Sequence, residues 1–121
     1  MKKYFILLVL VLGAATLTHA QTKVKLAYIA NYVGDSVEVC GVVSGGIYLQ
    51  SSQNSPTLIN VGGQYPNQLL TVVIFGTYRS LFTTPETSWL NKEICIKGKV
   101  ELYREKPQIV VRNTNQVVVS E

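Results

Sequence analysis

The sequence predicts a mostly β protein: a small Greek-key barrel of five strands, with one short helix ahead of the first strand and another between the third and fourth. Three observations carry this. Val37-Glu38-Val39-Cys40-Gly41-Val42-Val43 and Ile94-Cys95-Ile96-Lys97-Gly98-Lys99-Val100 are β-branched stretches with a glycine at the same place, and each holds a cysteine. Strand alternation puts both glycines on the inward parity of Val37, Val39, Ile94 and Ile96, where a strand bends sharply or another backbone comes close. Residues 69–75 are the most apolar run after residue 20, as expected of a central strand buried along most of its length.

The elements follow in order. Lys2 and Lys3, an apolar run over 5–12 and the small-residue ending Thr18-His19-Ala20 have the form of a secretory signal, with cleavage expected after Ala20 and a single domain over 21–121. An uncleaved N-terminal anchor is the alternative; no cysteine stands at the cleavage site to make a lipoprotein. Leu26, Ile29, Ala30 and Val33 recur at helical spacing, so a short amphipathic helix is expected over 24–33, with Thr22 as cap and Gly34 as stop. The first strand is expected over 36–43, broken by Ser44-Gly45-Gly46. An irregular stretch over 47–53 leads to a turn at Asn54-Ser55-Pro56. The second strand covers 57–61, a breaker-rich loop 62–67 and the third strand 69–75, ended by Gly76. Thr84-Pro85-Glu86 reads as cap, first helical position and dipole-complementing acid for a helix reaching Trp89 and Leu90. The fourth strand spans 92–102, with Ile94, Ile96, Val100 and Leu102 inward and Glu93, Lys97, Lys99 and Glu101 outward. After a hairpin loop over 103–106 the fifth strand starts at Pro107, which lacks an N–H and suits a strand's first position.

This order, with a helix between strands three and four, resembles that of the OB-fold. So do the residues: Tyr32 to Val43 with its Gly34-Asp35-Ser36 turn, Pro56-Thr57-Leu58-Ile59-Asn60-Val61-Gly62 with Tyr65-Pro66, Gly98-Lys99-Val100-Glu101-Leu102-Tyr103, and Lys106-Pro107-Gln108-Ile109-Val110-Val111. Over residues 30–118 the chain resembles OB-fold modules of bacterial nucleic-acid-binding and nuclease-associated proteins. The resemblance implies a binding module. The arginine-and-acid or histidine-and-metal cluster that a secreted nuclease needs has no counterpart here.

Cys40 and Cys95 share outward parity with their neighbours, and the OB-fold topology would pair the first strand with the fourth, bringing the two sulfurs together as a disulfide suited to an exported chain. Two free small hydrophobes are the alternative. Net charge is +4 for the full chain, but without Lys2 and Lys3 nine basic residues face seven acidic ones, too small an excess for bulk charge to argue nucleic-acid binding. After Ala20 there is no histidine, and Asp35 is the sole aspartate. The six glutamates mostly alternate with lysines at outward positions, as on a solvated face. A serine or cysteine nucleophile lacks a base, and two cysteines make half a zinc site. The chain is therefore expected to be non-catalytic, with no metal site and no cofactor, and periplasmic or secreted.

Single-stranded nucleic acid is held by aromatic platforms beside a positive groove. Tyr48, Tyr65 and Tyr78 lie on or beside the first three strands, Arg79 follows Tyr78, and Tyr103, Arg104 and Lys106 occupy the last hairpin; these seven are the expected ligand-binding residues. Each tyrosine also has a plainer reading, as a core cap with its hydroxyl in water. Two other classes compete: an oligosaccharide or small-ligand binder adding Asn60, Asn67 and Gln68, and a subunit that meets a protein partner through Tyr65-Pro66 and Leu81-Phe82.

Overall fold

The computed structural model describes residues 21–121, which curl one sheet around one core. The signal read over residues 1–20 lies outside the described residues. No helix among the described residues is long and apolar enough to cross a membrane.

Strand β1 (Thr22–Val24) pairs in parallel with the start of β2 (Ser36–Tyr48), and a 3-10 helix, Leu26–Tyr32, lies between them with Ile29 buried. The helix expected over 24–33 is thus shorter, a 3-10 helix over 26–32, and Val24, where it was expected to start, ends a strand. Thr22 does not cap it: the pairing of Thr22, Lys23 and Val24 with Val37, Glu38 and Val39 holds that segment extended, a tertiary contact that local spacing does not announce. Gly34 does end the helix. Its φ of +92° suits glycine, and its N–H donates to the Val100 carbonyl at 2.8 Å.

The first strand does not break at Ser44-Gly45-Gly46. β2 runs on to Tyr48, taking up the extra residue as a bulge between Val43 and Gly45. Its first half pairs with β5 (Glu93–Lys99) and its second half with β3 (Thr57–Val61), so one strand serves both sides of the curl. β3 pairs with β4 (Leu70–Ile74), and β4 runs parallel to β7 (Lys106–Val110). β7 pairs in turn with β6 (Glu101–Tyr103), and β8 (Val117–Val119) adds to β5. The hydrogen-bonded path is β6-β7-β4-β3-β2-β5-β8, open at both ends.

The described residues therefore form eight strands where five were expected. β1 and β8 are short edge additions, and the fourth expected strand is cut into β5 and β6 at Val100. The cause is local: the Val100 N–H donates to Asp35 O at 2.9 Å while its carbonyl accepts from Gly34, so both backbone groups serve the preceding turn instead of a ladder. Beyond this interruption Leu102, expected inward, is 55% exposed. Pro107 is the second residue of its strand, opposite Leu102. Between β4 and β5 lie two short helices, α1 (Gly76–Arg79) and α2 (Pro85–Ser88). Trp89 ends α2 and packs edge-on against Phe82, with ring centroids 5.5 Å apart.

The inward parity holds at the glycines. A Cβ on Gly41 would stand 2.6 Å from both Leu26 and Val61, and one on Gly98 would stand 2.6 Å from Ile109. At both places the core comes too close for a side chain. Cys40 and Cys95 face each other in the β2–β5 register with Cα atoms 4.0 Å apart and are joined as a disulfide, so the free-thiol alternative does not apply.

Candidate functional site

Alternate residues of β3 and β4 belong to the core, which leaves Leu58, Asn60, Thr71 and Val73 on the outer face, the first three half-buried and Val73 covered, 3% exposed. Register aligns them into two rows. Ile47, Leu58 and Val73 form an apolar row across β2, β3 and β4; Gly45, Asn60, Thr71 and Gln108 form a second row that reaches β7. All of these except Gly45 floor an open groove of about 1110 Å³. The loop from Leu49 to Pro56, with Phe75, closes one side. Tyr65 and the β6–β7 hairpin, carrying Tyr103, Arg104 and Lys106, form the other.

The hairpin wall is held by local chemistry. Arg104 and Glu105 both take positive φ, +48° and +67°, as a tight antiparallel turn demands, and this presents Arg104 at the rim beside its neighbour Tyr103. Lys106 Nζ donates to the carbonyl of Pro66, which ties the hairpin to the Tyr65 loop. Tyr65 and Tyr103 are 75% and 58% exposed, large aromatic surfaces with no core to cover. Among the described residues, Arg104 and Lys106 are the charged residues lining the groove, and no carboxylate lines it.

Four of the seven expected residues, Tyr65, Tyr103, Arg104 and Lys106, thus come together on one groove. The other three stand elsewhere. Arg79 forks onto Glu86, Nη1 to Oε2 at 2.9 Å and Nη2 to Oε1 at 2.7 Å, and Nη1 also donates to the buried Thr57 hydroxyl at 2.7 Å. Its guanidinium carbon lies 3.6 Å from the centre of the Tyr48 ring. The hydrogen bonds from Arg79 hold the Glu86 carboxyl below its ordinary range, burial opposing, and the same pairing pushes the Arg79 guanidinium further up. Tyr78 packs against the core. These three side chains fasten α1 and α2 to the sheet.

The floor was the part hardest to read. Alternation marks Leu58, Asn60, Thr71 and Gln108 as outward, but only the register makes neighbours of residues on three strands. Of the polar residues proposed for a sugar ligand, Asn60 and Gln68 line the groove and Asn67 does not. Gln68 Nε2 donates to Thr71 Oγ1 at 3.1 Å, and its Oε1 is buried without a partner.

No family model matches the chain, and no curated protein matches it. Solved structures do. The structure of yeast Stn1 and Ten1 is similar with a TM-score of 0.59 at 11% identity, over 88% of this chain and 66% of that one. A provisionally assigned aspartyl-tRNA synthetase from Leishmania major Friedlin is similar with a TM-score of 0.51 at 6% identity, over 87% of this chain. The chain spans 22% of that synthetase's length. At these identities the likeness is one of fold, and the fold is OB-like.

Proposed function

We propose that this chain is an exported, non-catalytic module that binds single-stranded nucleic acid in the groove over β3 and β4. The observation that carries the reading is the composition of that groove. Two exposed tyrosines and two cations converge on it without a carboxylate, over the strands and loops by which OB-folds take oligonucleotides and oligosaccharides. Base faces would stack on Tyr65 and Tyr103, and phosphates would lie toward Arg104 and Lys106. That a structural neighbour is by name a tRNA synthetase fits this reading. The form of residues 1–20 and the Cys40–Cys95 bridge support export. Among the described residues no histidine and no carboxylate line the groove, which supports a role without catalysis.

Fluorescence anisotropy with a labelled single-stranded oligonucleotide, at low and then moderate salt, tests the reading. Binding that weakens as salt rises is expected. Binding of oligosaccharides that ignores salt would favour the sugar alternative, whose carboxamides Asn60 and Gln68 also line the groove. Absence of oligonucleotide binding at low salt would leave the protein-partner reading.

A further inference from the structure

We propose that the groove discriminates between bases, and that the outward row Asn60, Thr71 and Gln108 does the discriminating; the inference rests on the single-strand reading above. Stacking and phosphate contacts hold any sequence alike, whereas hydrogen bonds to base edges select. The wall of the groove supplies the first kind, and this row supplies the second. Asn60 stands opposite Thr71 and Thr71 opposite Gln108, so the three polar ends lie side by side across β3, β4 and β7.

Their hydrogen-bonding capacity is unspent. Among the described residues the side chains of Asn60 and Gln108 hold no hydrogen bond to the protein, and each carboxamide presents a donor beside an acceptor, the pattern that pairs with a base edge. Thr71 Oγ1 already accepts from Gln68 Nε2, which leaves its own proton free to donate into the groove.

The test is anisotropy of the full chain with short labelled homopolymers of thymidine, deoxyadenosine and deoxycytidine at low salt. The parent protein should bind the best of the three about tenfold more tightly than the worst. In the double variant Asn60→Ala, Gln108→Ala all three should still bind, held by the tyrosines and cations, with the spread narrowed to about twofold. The double variant's thermal midpoint should stay near the parent value, because both side chains line the groove and neither belongs to the core. Equal binding of the three by the parent, or a spread that survives the double variant, overturns base discrimination and leaves single-strand binding standing. Binding of none overturns both.

Discussion

Two tyrosine–arginine pairs sit on this small sheet, and they do opposite things. Arg79 lies 3.6 Å from the Tyr48 ring and Arg104 lies 5.3 Å from the Tyr103 ring. The first guanidinium is forked on Glu86 and bonded to Thr57; the second stands on a two-residue turn at the rim of the groove. The residue types are the same. What differs is a carboxylate delivered by α2. An arginine already gripped in bidentate fashion is part of the fold, while one without such a partner leaves its fork open at the rim.

The contrast can be broken or sharpened by experiment. The largest effect should come from the frame both pairs share: Cys40→Ser with Cys95→Ser opens a link between residues 55 apart and should lower the unfolding free energy by about 4 kcal/mol in urea titration. Thiol counting on the denatured, unreduced parent should find none free. Arg79→Ala should cost about 2 to 3 kcal/mol of stability, since Glu86 and Thr57 lose their partner, with oligonucleotide affinity unchanged below the melting range. A loss of affinity with stability intact would place Arg79 with the groove and end the contrast. Tyr103→Ala should behave the other way, weakening binding by about 1 to 2 kcal/mol with an unmoved thermal midpoint.

Acid separates the pairs next. Because the Glu86 carboxyl is held below its ordinary value of 4.5 in the folded chain, its contribution is complete above that pH and lost as pH falls through the depressed folded value. Glu86→Gln should remove that part of the acid sensitivity, which denaturant midpoints between neutral pH and pH 3 would show. The smallest effect should be that of Arg104→Ala. It should reduce the slope of log affinity against log salt by about 0.7, the value for one phosphate contact on a single strand, and leave stability alone.

The sequence made some of this legible and some not, for reasons visible in single residues. Gly41 and Gly98 could be read because a glycine interrupting β-branched alternation has few explanations, and the core does come within 2.6 Å of each missing Cβ. Thr57–Val61 could be read because turn residues bound it on both sides. The passage of β2 through Ser44-Gly45-Gly46 could not. Local preference favours a break there, and β3 overrules it from across the sheet. β1 is only three residues long and owes its form to Val37–Val39, far beyond any local window. At the candidate site, Tyr103, Arg104 and Lys106 were suggested by an exposed hairpin next to a strand end. Arg79 looked equally available, because nothing in Tyr78-Arg79 tells that Glu86, seven residues on, will return to meet it.

The alternation of β3 and β4 has a consequence for how such a chain can change over generations. Ile59, Val61, Val72 and Ile74 hold the interior, while Leu58, Asn60, Thr71 and Val73 between them face the groove. Two selective pressures are thereby interleaved along the same ten residues without being mixed. A substitution at position 60 or 71 alters the groove surface and leaves the neighbouring interior contacts in place. A scaffold built this way can have its groove altered one outward residue at a time while the interior contacts stay as they are.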